Sequence, residues 1–331
     1  MSFATALAVL LAGQQVRFDT SQPVYIGGVR LDSNQTIFLE RELEHIQSKV
    51  LEAPKPKLNG MMHFAVSTEA GPGVEAITYR QETDFGRWAH VGAAGGGDAP
   101  RVGVAKGEHT SKVSKFFSSY GWTEFDLLSA ARTQTPLSAK LGMACLRAHD
   151  SKLNNVMWRG DSEAGVGGLV NNTTIPKKKS AKTWAASSSD EIRAEILGAI
   201  RDVIADSKDV EAPDRCLLPI SQYLLLIERK QGTQDNTNSL LDELRMKARA
   251  MSNRADFDFY GCQELTGAGP DGSDIMYIGQ KDPMVAEYQL PMAFRQTPVQ
   301  RAGLEYLVYC IAQFGELIVY RPKAFRAVYG I

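Results

Sequence analysis

The segment AHVGAAGGGDAPRVGV at residues 89–104 constrains the fold of this chain more than any other stretch. Its many glycines leave it few side chains with which to bury apolar surface. Strand-type sequence lies on both sides of it, EAITYR at 75–80 and VSKFFSSYGW at 113–122. The pattern predicts two extended arms joined through a glycine-rich tip, and such a hairpin alone is only marginally stable in water. We therefore expect these arms to pack against something else.

The N-terminal sequence MSFATALAVLLAG is a second segment that we expect to pack against another apolar surface. Its apolar centre is like that of a signal peptide, but no Lys or Arg precedes Arg17, and signal peptides begin with basic residues. We interpret it as an apolar arm or short helix. IFLERELEHIQSKVL at 37–51 follows, and its apolar residues recur on one helical face, which predicts an amphipathic helix.

Several later segments carry clear signals for helices and strands. Thr135-Pro136 predicts the start of a long helix that runs to about 158, because Thr is a good N-cap and Pro suits the first helical position. Ser188 and Glu191 form a capping box for a second helix. CLLPISQYLLLI at 216–227 predicts a buried strand, a turn and a short helix. The β-branched and aromatic residues after 304 favour long strands.

Composition restricts the classes of function. The formal net charge of −1 neither draws the chain to nucleic acid nor repels it. The four cysteines are far apart without a C-x-x-C pair, which argues against a zinc site or a disulfide framework and is typical of a reducing cytoplasm. No apolar run approaches the roughly 18 residues that a membrane span requires. We expect no membrane association.

The search for catalytic motifs leaves no candidate. TGAGPDGSD at 266–274 has the G-x-G-x-x-G spacing of a dinucleotide-binding turn, but strand-like sequence lies on both sides of it, so we predict a hairpin turn. The five histidines are scattered, and no G-x-S-x-G or P-loop motif occurs. The basic run PKKKSAKTW from 176 predicts a solvated loop. We therefore expect no catalytic residue, no cofactor and no metal.

The order of these segments resembles a known family. ITYRQETDFGRWAHVGAAGGGDAPRV is similar to its extended loop, and YGWTEFDLLSAARTQTPLSAKLGMACLRAHDSKLNNVMWRGD is similar to its strand and spine helix with the closing G-D turn. GVGGLVNN, DEIRAEILGAIRDV with CLLPISQYLLLI, and GELIVYRPKAF resemble later segments in the same order. The family is that of tailed-bacteriophage major capsid proteins with the Hong Kong 97 fold.

The resemblance implies an α+β, Hong Kong 97-like capsid fold divided into four parts. These are an N-terminal arm with an amphipathic helix at 1–55; an extended β-hairpin loop at 56–112 with its tip near 92–97; a peripheral domain at 113–187 and 285–331 that includes a spine helix at about 135–158; and an axial domain at 188–284.

The resemblance also implies a structural function that involves no catalysis. The chain would assemble into pentamers and hexamers of an icosahedral virion shell around double-stranded DNA, inside the bacterial host cytoplasm. Partners would be other copies, a portal, a cement or decoration protein, and a separate scaffolding protein, since no N-terminal extension of about a hundred residues is present. The residues that we expect to serve assembly are Gly92, Gly95, Gly96, Gly97, Arg80, Arg87 and Trp88.

Other hypotheses stay open at this point. An encapsulin-type compartment would keep the fold and enclose cargo protein instead of DNA. A cytoplasmic enzyme with an unfamiliar site would show a pocket with convergent polar side chains. A tail-tube or decoration protein would form rings or trimers and no closed shells.

Overall fold

The computed structural model describes residues 55–88, 100–133, 137–230 and 239–331, together with the backbone of two short strands near the N-terminus. The chain divides into two units, 1–56 and 57–331. In the first unit, β1 (Val24–Ile26) pairs antiparallel with β2 (Val29–Leu31). The apolar N-terminal segment and the amphipathic helix expected at 37–51 lie outside the described residues.

The second unit contains the remaining elements. Its helices are α1 (Gly60–His63), α2 (Glu124–Thr133), α3 (Leu137–Arg159), α4 (Ser189–Asp206), α5 (Ile220–Glu228) and α6 (Leu240–Ser252). Its strands are β3 (Ala65–Ser67), β4 (Ala76–Phe85), β5 (Gly103–Lys112), β6 (Ser114–Thr123), β7 (Lys177–Lys179), β8 (Arg215–Pro219), β9 (Asp258–Cys262), β10 (Ile275–Gly279), β11 (Ala286–Gln289), β12 (Met292–Gln296), β13 (Gln300–Ala302), β14 (Glu305–Phe314), β15 (Leu317–Val319) and β16 (Arg326–Tyr329).

A five-stranded sheet in the order β7-β16-β10-β8-β9 is the middle layer of this unit. Successive residues of a strand point to opposite faces, and here both faces are covered. Met276 and Ile278 of β10 join a core with α4, α5 and α6, whereas Ile275 and Tyr277 join a second core with α3. This double burial explains why β8 and β10 have continuous apolar sequences without alternation.

The helix α4 begins as its sequence predicts. The Ser188 side chain accepts a hydrogen bond from the Glu191 backbone N–H, and the Glu191 carboxylate accepts one from the Ser188 N–H at 2.8 Å. The buried face of the helix is the predicted one, with Ile192, Ile196, Ile200 and Val203. The predicted buried strand and short helix at 216–227 are also present, as β8 and α5.

Two strands of the five-stranded sheet come from outside 188–284. The final strand β16 lies between β7 and β10, and β7 pairs parallel to it. The interpretation of 177–179 as a loop was therefore wrong. The terminal strand β16 pairs with β10, which lies in the segment expected to be the axial domain, although β16 itself was expected in the peripheral domain. Ala327 and Val328 of β16 are fully buried. An interior position in this sheet buries more of their apolar surface than an edge position would.

The segment 266–274 is a turn, but it is not the predicted hairpin. β9 and β10 flank it as expected, yet β8 lies between them in the sheet, so the segment connects two strands that do not pair. Gly267 and Gly272 have positive φ, and the Gly269 N–H donates to the Ser273 carbonyl at 2.7 Å. The segment is followed by a strand, whereas a dinucleotide-binding turn opens a helix.

The second core lies below α3. This helix ends at Arg159, close to the predicted end; Thr135 and Pro136, where the sequence predicts its start, lie outside the described residues. Val156, Met157 and Trp158 are fully buried in its last turns. A sheet of β12, β14 and β13, to which β6 is added through β14, covers the helix together with the sheet β15-β11-β3. β14 is the long C-terminal strand that the composition favours, while β15 and β16 are short.

The extended hairpin consists of β4 and β5, in register from Ala76 opposite Lys112 to Phe85 opposite Gly103. The prediction that 113–122 forms the second arm was wrong, because those residues form β6 and pair with β14 along their whole length. Phe116 of β6 stacks on Phe314 of β14 with ring centroids 4.6 Å apart. The aromatic face of β6 therefore gains core contacts that a solvent-exposed arm would not give it.

Candidate assembly surfaces

The hairpin formed by β4 and β5 reaches away from the body of the second unit. Ten paired residues at about 3.3 Å each make it about 30 Å long. Every residue from Arg80 to Trp88 is exposed. On β4, only residues near the base of the hairpin are half-buried. A two-stranded ribbon of this length has too little core to be stable by itself, so its surface is a candidate for contact with another molecule.

The two faces of the hairpin differ in chemistry. One face carries Arg80 opposite Glu108 at 2.8 Å and Glu82 opposite Lys106 at 2.7 Å. Each exposed pair contributes less than about 1 kcal/mol to stability, but together they favour this register over a shift by one residue. The charged face therefore suits contact with water.

The opposite face, which we call the apolar face, carries no ion pair; the β4 side of it consists of Tyr79, Gln81, Thr83 and Phe85. Its β5 side consists of Gly103, Ala105, Gly107 and then His109. The Phe85 ring lies across Gly103, so close that an added Cβ would be 2.7 Å from the ring. Small residues leave the backbone accessible to a partner, and Phe85 supplies apolar area at the far end.

The base of the hairpin is fixed to the body by a few specific contacts. The ring of Tyr79 meets that of Tyr320 edge-on, with centroids 5.0 Å apart. The Ser111 hydroxyl donates to the Glu316 carboxylate at 3.1 Å. Burial, and next the nearby Glu316 charge, raise the pKa of Tyr79, so this ring stays neutral at physiological pH. These contacts set the direction in which the hairpin leaves the body.

The residues expected to serve assembly are distributed along this hairpin. Arg80 lies on its charged face, and its guanidinium is paired with Glu108. Arg87 and Trp88 lie just beyond β4 and are exposed; Trp88 has 98% of its surface accessible. The four expected glycines lie outside the described residues; they are Gly92, Gly95, Gly96 and Gly97.

A second apolar surface, which the sequence analysis did not single out, is the helix α2. It has no buried residue, and Phe125, Leu127 and Leu128 are exposed, Phe125 by 70%. The Asp126 carboxylate accepts from the Thr123 N–H at 3.0 Å and from its hydroxyl at 2.7 Å, and the first of these bonds lowers the pKa of Asp126 most. A helix of ten residues is only marginally stable without packing. Contact of these apolar side chains with another molecule would therefore stabilise it. The signal was present in the sequence as FDLLSAA without an apolar partner segment.

A third feature is an aromatic groove of about 290 Å³ between α3 and the sheet that covers it. It is lined from α3 by Cys145, Ala148, His149 and Lys152, and from the strands by Phe116, Phe117, Ser118, Phe294, Cys310, Ile311, Ala312 and Phe314. The four helix residues are spaced so that they share one face. Phe117 at its rim is 83% exposed. Sequence reasoning missed the groove because β12 and β14, which supply part of its walls, are more than a hundred residues from α3 in the chain.

His149, one of the residues that line the groove, has a ring nitrogen without a partner. His149 Nδ1 lies 2.9 Å from the Asp150 carboxylate, and a carboxylate only accepts, so this nitrogen donates. His149 Nε2 is buried without a hydrogen bond. The ring is held between Phe294 and Phe314 at centroid distances of 5.1 and 5.3 Å. A buried polar atom without a partner costs free energy.

The basic segment is not a free phosphate-binding patch. The lysines that contact other parts of this chain are Lys177 with the Val170 carbonyl at 2.7 Å, Lys179 with Asp271 at 2.7 Å and Lys182 with Glu191 at 3.0 Å. Burial lowers the pKa of Lys177. Three consecutive lysines on the edge strand β7 also discourage pairing with a further strand.

The described ranges offer little for catalysis. No three His, Cys, Asp or Glu side chains in them come together in a way that could hold a metal ion. Among the same residues, no helix has the length and apolarity to cross a bilayer. The thiol of Cys262 lies 3.6 Å from His63 Nε2, but burial raises the pKa of Cys262 to about 12, so this pair lacks a reactive thiolate.

Comparison with known proteins agrees with this picture. A family model described as major capsid protein matches residues 87–331. A search of curated proteins by sequence finds no significant match. Among solved structures, the chain is similar to one in the capsid of Myoviridae phage XM1, with 18% identity and a TM-score of 0.78 over 89% of this chain and 99% of that chain.

Two further structures show the same similarity at lower scores. A chain from Mycobacterium phage Ogopogo matches with 14% identity and a TM-score of 0.55, over 89% of this chain and 99% of that one. A chain from the capsid of an empty GTA particle matches with 12% identity and a TM-score of 0.59, over 86% and 94%. At these identities the likeness establishes the fold, and the expected α+β, Hong Kong 97-like capsid fold is confirmed. Because the family model spans well over half of its length, this chain belongs to the major capsid protein family, and it is a shell-forming structural protein and not an enzyme.

Proposed function

We propose that copies of this chain form pentamers and hexamers that tile an icosahedral shell around packaged double-stranded DNA. The hairpin of β4 and β5 carries the proposal, because its outer part beyond Tyr79 is exposed and leaves the apolar face uncovered. That face would lie on a neighbouring copy, and the charged face with Arg80 would face solvent. Each contact is weak alone, but ring closure makes later contacts intramolecular and raises their effective concentration.

The division into functional parts follows from the same proposal. The segment 188–284, together with β7 and β16, would lie near the centre of each ring as an axial domain. The rest of 113–187 and 285–331, including α3, would form the peripheral domain between rings. The tip glycines would let one chain adopt different bends in pentamers and hexamers; they are Gly92, Gly95, Gly96 and Gly97.

The partners in this proposal are a portal, a cement or decoration protein and a separate scaffolding protein, with assembly in the bacterial host cytoplasm. Contacts with DNA would be non-specific. The net charge of −1 and the pairing of Lys179 and Lys182 with carboxylates of the same chain support a surface that tolerates dense DNA without binding it strongly. The encapsulin-type alternative has less support, since the matching structures described above are those of phage and GTA capsids.

The test compares two adjacent substitutions on opposite faces of the hairpin. Ala105→Lys places a charge on the apolar face, whereas Val104→Lys places the same charge on the charged face, opposite Asp84. Electron microscopy and light scattering of the purified full chain would measure shell formation. We expect shells from the wild type and from Val104→Lys, and unassembled or irregular material from Ala105→Lys. Equal assembly by both variants would contradict the orientation of the hairpin. A wild-type chain that stays monomeric both alone and together with its scaffolding protein would contradict the function itself.

A further inference from the structure

We propose that α2 of one copy packs antiparallel against α2 of a second copy, across a twofold axis between two rings of the shell. The inference rests on the proposed function, because only a shell built of rings places two copies in this relation. It concerns a surface outside the hairpin, and it assigns a partner to the exposed apolar side of α2.

The surface is a stripe along one side of α2. Phe125 is 70% exposed and Leu128 is 64% exposed, and the helix has no buried residue. Two further exposed residues follow at four and seven positions after Phe125. Residues spaced by three, four and seven positions share one face of a helix. We call this face the α2 stripe; its residues are Phe125, Leu128, Ser129 and Arg132.

The α2 stripe is complementary to a reversed copy of itself. In an antiparallel pair centred between Leu128 and Ser129, Leu128 of each copy faces Ser129 of the other, so a large side chain meets a small one. In the same register Phe125 of each copy faces Arg132 of the other. A guanidinium group on an aromatic ring is a favourable contact. One register therefore gives each residue of the stripe a suitable partner.

The charges of α2 favour the same direction of packing. The acidic residues Glu124 and Asp126 lie in its first turn, and Arg132 lies in its last turn. Antiparallel packing brings Arg132 of each copy to the acidic end of the other, whereas parallel packing would bring like charges together. Glu124 is also paired with Arg301 at 3.3 Å, so Asp126 supplies the larger part of the uncompensated negative charge at that end.

The symmetry of the proposed shell requires a surface of this kind. Neighbouring rings of an icosahedral shell meet across local twofold axes, and a contact on such an axis joins the same surface of both copies. The apolar face of the hairpin does not supply this contact, because in the proposed shell it lies on a different surface of its neighbour. The α2 stripe is exposed and complementary to itself, as a twofold contact demands.

A single introduced cysteine tests the twofold contact. In the proposed register the Cα atoms of the two Ser129 residues lie about 6 Å apart, within the range of a disulfide. The two Ala131 residues, which are exposed but lie off the stripe, would be more than about 10 Å apart. All four natural cysteines are buried. We expect mild oxidation of assembled shells to convert Ser129→Cys into covalent dimers and to leave Ala131→Cys and the wild type as single chains.

Two outcomes of this experiment would overturn the inference and leave the proposed function standing. The first is well-formed shells of Ser129→Cys that give no covalent dimer on oxidation. The second is an introduced thiol at this position that does not react with a maleimide in the unassembled chain, because a segment of the same chain would then cover the stripe. Under reducing conditions we expect the thiol to react before assembly and to be protected in shells.

A charge at the centre of the stripe tests the energetics. Leu128→Asp places a carboxylate there, and Ala131→Asp adds the same group at an exposed position off the stripe. Loss of a central interface contact costs about tenfold or more in affinity. We expect Leu128→Asp to raise the protein concentration needed for assembly by about tenfold or more, and Ala131→Asp to change it by less than about threefold. Equal effects of the two substitutions would contradict the proposal.

Circular dichroism of the unassembled variants controls for folding. Leu128 is 64% exposed, so we expect Leu128→Asp to unfold at the same temperature as Ala131→Asp. If Leu128→Asp unfolds earlier, the cross-linking of Ser129→Cys decides the matter, since that change adds little volume at an exposed position. Failure of the wild type to form shells, both alone and with its scaffolding protein, would remove the proposed function and this inference together.

Discussion

Acidification should destabilise this protein through His63, the last residue of α1. Its side chain is only 4% exposed, with the Cys262 thiol 3.6 Å from Nε2 and the Tyr260 ring edge-on at 4.9 Å. Burial, followed by the positive charges of Arg215 and Lys281, lowers the pKa of His63 from 6.5 to about 4. The folded protein therefore holds this imidazole neutral at pH values where an unfolded chain protonates it.

The direction and size of the effect follow from proton linkage. Between pH 6.5 and about pH 4 the unfolded chain binds more protons at His63 than the folded one, so the free energy of unfolding falls as pH falls through this window. Above pH 6.5 the contribution is complete. A pKa difference of this size removes about 2 kcal/mol between about pH 7.5 and about pH 5.

Urea unfolding of the unassembled chain, followed by circular dichroism at these two pH values, would measure the effect. Other groups can also respond to this change of pH, so the informative quantity is a difference between two proteins. His63→Phe keeps an aromatic ring and removes the titrating nitrogen. We expect the wild type to lose about 2 kcal/mol more than His63→Phe on acidification. An equal loss in both proteins would refute the assignment to His63.

Two further predictions concern the folded unit itself. Gly168→Ala should destabilise by about 2 kcal/mol or more, because its Cβ would lie 2.4 Å from the Gly160 backbone nitrogen, whereas Gly198→Ala in α4 meets no atom and should stabilise by about 1 kcal/mol. Thermal unfolding checks this pair, and a loss of stability at both positions would contradict the packing. Ser188→Ala should cost about 1 kcal/mol through loss of the capping box with Glu191, and the same scan would show no change if that cap were unimportant.

Much of the fold could be predicted where local sequence signals are complete. The capping box at Ser188, the apolar face of α4 and the strand β8 followed by α5 are confirmed, since caps and periodicity act within a few residues. Strand partners could not be predicted in this way. VSKFFSSYGW has the composition of a strand, but nothing in it specifies β14, which is almost two hundred residues away, as its partner. The residue pattern alone did not indicate the polar strand β5, because cross-strand ion pairs and glycines replace the usual apolar alternation there; only the family resemblance implied a hairpin within 56–112.

The candidate surfaces also divide into those that the sequence indicated and those that only the fold revealed. Trp88 and Arg80 were named from the sequence because the loop that carries them resembles a family element. The exposed face of α2 and the aromatic groove needed the fold, because exposure and the convergence of α3, β6, β12 and β14 are properties of tertiary structure. His149 illustrates the limit: a lone histidine in a sequence gives no indication that one of its nitrogens is buried without a partner.

Electron cryomicroscopy of particles formed by the full chain tests the central claim most directly. The account predicts closed shells built of fivefold and sixfold rings, in which the apolar face of each hairpin lies on an adjacent copy and the charged face with Arg80 and Glu108 remains in solvent. A chain that stays a single molecule at high concentration, with the hairpin folded onto its own body, would contradict it.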